Sequence, residues 1–354
     1  MGYMDYFFSF AKEIDRFLNF FLEKKIKESE KINPLASDIW IKIKNFISGG
    51  KRIRGGLVKL GYECFRGKKK RAILPIASAL EITHGAILIH DDIIDRSDFR
   101  HHQPTVHRNY ESYHKKNYQK GDPSHYGEGM ALIVGDAGFY EGISLIEKSS
   151  FPPDLKLKCL GFLAKLMIHT CYGEILDVDL SFRSKVSEEE IMLVNRLKTA
   201  EYTIVGPLKI GGILAGADPK KLKKFEDYGF AVGIAFQIQD DILGMFGSFE
   251  KLGKPVDSDI KEGKNTLLYT QALKRGNKKQ RERLKSLWGK EDITQEEVEE
   301  AREIIRKTGS LSYSQNLARK LVNEAKTVVP NITQDENLKN VFLSLADFVI
   351  ERGR

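Results

Sequence analysis

Cysteine, proline and tryptophan are scarce in this chain of 354 residues, at 3, 10 and 2 respectively. Cys64, Cys159 and Cys171 are too few and too scattered for a disulfide framework, and no two have zinc-ligand spacing. They are expected to be free thiols in a reducing cytoplasm. Ten prolines exclude a Pro-rich linker protein. Long hydrophobic runs are missing too: the longest stretch without a charge, Tyr228 to Gln239, has 12 residues, where a membrane-spanning helix needs about 20. No transmembrane segment is expected. Asp5, Lys12, Glu13 and Asp15 interrupt what would have to be the apolar core of a secretory signal. Tyr6 stands where a myristoylation site carries Ser or Thr. The expected location is the cytoplasm.

Charge of one sign is in small excess. With 57 Lys and Arg against 49 Asp and Glu the chain carries +8, little for a nucleic-acid binder of this size. Its densest basic run, Arg66-Gly67-Lys68-Lys69-Lys70-Arg71, has no stacking aromatics within it and reads as a solvated loop. No nucleic-acid partner is expected.

What the chain does have is 41% hydrophobic residues, enough for a large core, recurring at helical spacing. Phe7, Phe10, Ala11, Ile14, Phe17, Leu18, Phe21 and Leu22 draw one stripe of a helix. Strand-like alternation bounded by Asn-Gly or Asp-Gly turns is absent. Breaks fall at residues 66–71, 121–129, 151–154, 181–187, 216–219, 247–263 and 288–294. Ser187 with Glu190, and Thr294 with Glu297, have the spacing of capping boxes that start helices. The expectation is all-α: a single domain over residues 1–354, built from about a dozen mostly antiparallel helices.

Two acidic motifs stand out, HDDIID at 90–95 and QDDIL at 239–243, each after an apolar helical run. Asp91 and Asp95 are four apart, so both project from one helix face and repel unless something neutralises them. Carboxylates so arranged suit Mg²⁺, which takes hard oxygen ligands and is completed by water and phosphate oxygens. A solvated charge cluster is the alternative for either motif alone. The pair, 149 residues apart (240 − 91), would make a metal clamp if the two helices face each other. Mg²⁺ of this kind calls for a phosphorylated ligand. Lys51 and Arg54 after the Gly49-Gly50 pair, with Arg100, Lys198, Lys254 and Lys264 near the other motifs, could supply its counter-charge.

The series GGKRIR at 49–54, LEITH at 80–84, LIHDDIID at 88–95, PTVH at 104–107, GD at 135–136, KTA at 198–200, FQIQDDIL at 236–243 and GK…GKNT at 253–266 resembles the trans-isoprenyl diphosphate synthases, in the family's own order. The motif-bearing core spans about residues 45–270. The resemblance implies a helical shell around a central cavity, a homodimer, and condensation of isopentenyl diphosphate with an allylic diphosphate through a carbocation. It implies three Mg²⁺ ions, with Asp91 and Asp95 ligating two and Asp240 the third, and Asp92 and Asp241 ordering the outer shell. Arg100, Lys198 and Lys254 match contacts to the allylic diphosphate, and Lys264 belongs to the same substrate-binding set. Thr199 and Gln237 match residues whose oxygens face the developing cation. Lys51, Arg54 and His84 match the isopentenyl diphosphate pocket.

The chain also departs from the family pattern. His101 stands where a second arginine contacts isopentenyl diphosphate, and a histidine is only partly charged at neutral pH. Gly244 replaces a third Asp in the second motif, Glu174 a frequent Gln, and Gly55 a frequent Pro. Short-chain members carry a bulky aromatic five residues before the first Asp; here that residue is Ala86, followed by Ile87. Thr83 and Leu80 lie one and two turns lower, each turn about 5 Å deep. The expected product is geranylgeranyl diphosphate, C20. A C25–C30 synthase, a terpene cyclase, and a non-catalytic subunit of a heteromeric synthase are the alternatives.

Overall fold

The computed structural model describes residues 2–69, 71–247, 258–290 and 292–351. Its helices are α1 (Tyr3–Glu30), α2 (Pro34–Phe46), α3 (Ile53–Cys64), α4 (Ile73–Ile94), α5 (Val106–Asn117), α6 (Pro123–Glu147), α7 (Pro153–Ser181), α8 (Glu188–Val194), a π-helical segment (Asn195–Val205), and α9 (Gly206–Leu214). They continue as α10 (Pro219–Leu222), α11 (Lys224–Phe246), α12 (Ser258–Lys261), α13 (Leu267–Arg275), α14 (Lys278–Leu287), α15 (Gln295–Lys307), α16 (Ser310–Ile332) and α17 (Glu336–Glu351). The all-α expectation holds. The only paired strands among the described residues are β1 (Phe99–Arg100) and β2 (Gln103–Pro104), a short antiparallel hairpin that the sequence reading lacks. The expected break over 121–129 is shorter than it reads: Asp122 caps α6 by accepting the Ser124 N–H, and Pro123 occupies its first turn. Both expected capping boxes are formed, at Ser187 and Thr294.

Contacts divide the chain into two compact units, Tyr3–Phe162 with Pro207–Asp218, and Leu163–Gly206 with Pro219–Arg354. The first is organised on α4, whose Ile76, Ala77, Ala79, Leu80 and Ile82 are wholly buried. A helix buried this far round needs small residues on its partners for close approach. On α6 these are Gly135, Gly138 and Gly142: a Cβ there would come within 2.2 Å of His90, 2.9 Å of Ala86 and 2.3 Å of Thr83. As the α6 number rises the α4 number falls, so the two run antiparallel. α3 and α9 cross through reciprocal glycines, Gly61 against the Leu208 carbonyl (2.0 Å) and Gly211 against the Val58 carbonyl (2.1 Å).

The second unit is organised on α11. Gly229 and Gly233 let it lie against Val205 and Ala200 of the π-helical segment. Wholly buried Tyr228 donates to the Phe342 carbonyl of α17 at 2.7 Å and meets its ring edge-on. Burying a phenol is costly without such an acceptor.

Three helices, α4, α6 and α7, are long and apolar enough by length and composition to cross a membrane. They are so although no uninterrupted apolar run reaches that length, because each carries isolated charges within an otherwise apolar stretch. In α4, 67% of that stretch is already buried inside the protein.

The glycine crossings set a packing test. Gly211→Ala drives a methyl into a backbone carbonyl and should cost about 1–3 kcal/mol. Gly161→Ala, with nothing within 4 Å of its Cβ, should be neutral or stabilise by about 0.5–1 kcal/mol. Urea midpoints of the two variants check this; equal midpoints would contradict it.

Candidate active site

The first acidic motif sits where a helix tolerates it least. Asp91 and Asp92 lie in the last turn of α4, and Asp95 closes it with its N–H on the Asp91 carbonyl at 2.8 Å. The negative end of the helix dipole is there, so three carboxylates need compensation. Arg100 gives part of it: Nε donates to Asp92 Oδ1 at 2.7 Å and Nη2 to Asp91 Oδ2 at 3.2 Å. It is aimed by the β1–β2 hairpin, whose two-residue turn is His101 (φ 50°) and His102 (φ 61°). Both are left-handed, as a type I′ turn requires, and histidine enters that region more readily than most residues. Asp92 is 1% exposed, and its second carboxylate oxygen has no hydrogen-bond partner. Burial pushes its carboxyl up to about 7, with Arg100 opposing and Asp91 and Asp95 adding.

His84 lies two turns below Asp91 on the same helix face. Burial, then Arg54, Arg100, His101 and Arg52, hold it well below the usual imidazole range. The site thus contains a neutral histidine with cations grouped round it. Lys51 is exposed and Arg54 half-buried.

The other expected metal- and substrate-binding residues that are described lie in the second unit. Lys198 and Thr199 lie in the π-helical segment, against which α7 brings Gly173 so close that a Cβ would be 2.5 Å from the Lys198 nitrogen. Such widened turns recur at functional sites. Lys198 Nζ reaches Asp177 at 2.7 Å and Glu174 at 2.9 Å, both on α7. Thr199 Oγ1 donates to Gln237 Oε1 at 2.6 Å, and Gln237 Nε2 donates to Asp241 Oδ1 at 2.8 Å. Asp241 is held well above the ordinary carboxylate range by burial, then by Asp259, with Asp240 and Asp177 adding and Gln237 opposing. Gly244, the missing third aspartate, is met by another: a Cβ at 244 would lie 2.9 Å from Asp259 Oδ2. Lys264 pairs with Glu262 at 2.9 Å. Lys254 lies outside the described residues.

Sequence reasoning missed Asp177 and Asp259. Asp177 follows Glu174 by three, a one-face spacing that could have found it; Asp259 carries no such mark. Among the described residues no three His, Cys, Asp or Glu side chains could hold an ion by themselves. Mg²⁺ is seldom held that way, using one or two carboxylates with water and substrate phosphates. The orphaned oxygen of Asp92 and the crowded carboxylates round Asp241 fit such an ion.

An all-helical chain with two aspartate motifs, the first of them met by Arg100, fits a prenyltransferase of the isoprenoid synthase type. The chain belongs to the polyprenyl synthetase family, whose model matches residues 41–305. It is similar to a geranylgeranyl diphosphate synthase of Methanosarcina mazei, 34% identical over 305 residues, 86% of either chain. A short chain isoprenyl diphosphate synthase of Methanothermobacter thermautotrophicus is 33% identical across 93% of this chain and 95% of that one. The crystal structure of geranylgeranyl pyrophosphate synthase from Corynebacterium glutamicum, complexed with isoprenyl diphosphate and magnesium, matches with TM-score 0.92 and 30% identity over 97% of this chain and 98% of that one. The family and fold implied by the sequence motifs are borne out.

Burial, then Arg100 and His102, hold His101 below its ordinary value, so it is mainly neutral at pH 7. A diphosphate beside it favours the charged form, so binding takes up a proton and tightens as pH falls. The affinity of isopentenyl diphosphate should rise from pH 8 to 6 by more than in His101→Arg, which should bind more tightly at pH 8. Parallel pH profiles for the two proteins would contradict this.

Proposed function

We propose that this prenyltransferase condenses isopentenyl diphosphate with allylic diphosphates and that its product is all-trans geranylgeranyl diphosphate. The observation that supports elongation over cyclisation is the set of basic residues round His84, with the guanidinium groups of Arg54 and Arg100 and the imidazole of His101. A cyclase has one diphosphate to hold and no need of a second cationic site. In this reading Lys51, Arg54 and His101 hold the isopentenyl diphosphate, and neutral His84 serves as a hydrogen-bond partner rather than a counter-charge. Arg100, Lys198, Lys254 and Lys264 bind the allylic diphosphate. Asp91, Asp95 and Asp240 take Mg²⁺, three ions by the family resemblance, with Asp92 and Asp241 behind them. Bound Mg²⁺ neutralises the charge that builds on the departing diphosphate. Thr199 Oγ1 and Gln237 Oε1, 2.6 Å apart, present oxygen dipoles to the allylic cation. The released pyrophosphate accepts the proton whose loss restores the double bond.

Product length follows the Asp91 face of α4. Leu80 is eleven residues below Asp91, three turns or about 16 Å, and is wholly buried. Ala86 and Thr83 instead abut Gly138 and Gly142 of α6, so Leu80 is the better candidate for the floor, and C25–C30 products are the second reading. A homodimer is part of the proposal, supported by exposed Leu132, Ile133, Tyr140 and Ile143 on α6 and Ile168, Tyr172 and Ile175 on α7. So is a cytoplasmic location, supported by three free cysteines.

Incubation with Mg²⁺, labelled isopentenyl diphosphate and C5, C10 or C15 allylic primers should give a C20 diphosphate; no elongation from any primer would overturn the proposal. Leu80→Ala, at a stability cost of about 2–5 kcal/mol, should lengthen the product. An unchanged chain length would remove Leu80 as the floor.

A further inference from the structure

Arg52 stands between Lys51 and Arg54, yet no role in substrate binding falls to it. It is 5% exposed, has left-handed backbone (φ 54°, ψ 37°), and makes no side-chain capping bond to α3, which it precedes. A non-glycine residue held there is strained and persists only when its surroundings require it. Here its side chain runs inward. Nε donates to Asp15 Oδ1 of α1 at 2.7 Å, and Nη1 lies 3.8 Å from Glu81 Oε2 of α4. Glu81, 6% exposed, also accepts the Gly55 N–H at 2.8 Å, one of the first-turn donors that α3 cannot satisfy internally. One carboxylate thus caps α3 from another helix and faces the arginine. His84 lies one turn further along α4.

The loop needs such a tie. Gly49 (φ +76°) and Gly50 leave it conformationally free. On one side is an open cleft lined by Asp15, Lys44, Asn45, Ser48, Gly49 and Arg52, so packing does not restrain it there. With Arg52 drawn inward, Lys51 is left exposed and Arg54 half-buried.

We infer that Asp15, Arg52 and Glu81 are positioning residues that set Lys51 and Arg54 for isopentenyl diphosphate, and so bring α1, which precedes the matched residues 41–305, into substrate binding. The inference rests on the reading under Proposed function. Gly55 belongs to the same brace. A proline there, frequent in the resembling family, has no N–H to give Glu81, so the departure at this position is what lets the bond form.

The test is steady-state kinetics of the full chain with both substrates varied, alongside thermal melting. Asp15 is 42% exposed, and Asp15→Asn should fold. It should raise KM for isopentenyl diphosphate about tenfold while kcat and KM for the allylic substrate stay within about twofold, and Asp15→Glu should restore most of the loss. An unchanged KM, or both KM values rising together with a lowered melting temperature, would overturn the brace. Failure of the wild type to condense any primer would overturn the functional reading instead. Equilibrium binding of isopentenyl diphosphate to wild type and Asp15→Asn would then decide the brace alone, equal affinities counting against it.

Discussion

Carboxylates crowd together at both aspartate motifs, and burial favours the protonated form of Asp92 and Asp241. At the end of α4, Arg100 pairs with both Asp91 and Asp92, and Asp92 is pushed up to about 7 by its burial. In the other unit Asp241 is held well above the ordinary carboxylate range by burial, then by Asp259, with Asp240 and Asp177 adding. A protein does not retain such clusters for stability, because each desolvated charge costs several kcal/mol. They are coherent as sites completed by a divalent ion that arrives with a phosphorylated substrate.

The packing keeps these groups from relaxing. Gly135, Gly138 and Gly142 lock α6 against α4, and Gly173 and Gly233 clasp the π-helical segment that carries Lys198 and Thr199. Glycine weakens a helix intrinsically, so its use at contact after contact exchanges helix propensity for close backbone approach. The result is that a carboxylate, an amide and a hydroxyl can be linked in series, from Thr199 through Gln237 to Asp241, each with one donor direction. Preorganised dipoles of that kind need no rearrangement when positive charge develops.

What was legible in the sequence was local. The capping boxes at Ser187 and Thr294 and the one-turn spacing of Asp91 and Asp95 follow from helix geometry alone, and both motif helices formed where periodicity put them. What was not legible depends on residues far apart in the chain. Arg52 meets Asp15 across 37 positions, and Asp259 fills the place beside Gly244 from a segment with no periodicity of its own. The hairpin at 99–104 was hidden for another reason: its strands are two residues long, too short to alternate, and its turn uses His101-His102 instead of Asn-Gly. Gly55 and Gly244 depart from the family pattern, and the structure sets a carboxylate beside each, Glu81 and Asp259.

In the proposed function these carboxylate clusters become binding sites only when a divalent cation accompanies the diphosphate. Calorimetric titration of the full chain with inorganic pyrophosphate, with and without Mg²⁺, tests it most directly. Affinity should be at least about tenfold greater with Mg²⁺, a coupling of the usual size for two ligands sharing one site, and Asp91→Asn should lose that gain. Equal affinity in the presence and absence of Mg²⁺ would contradict it.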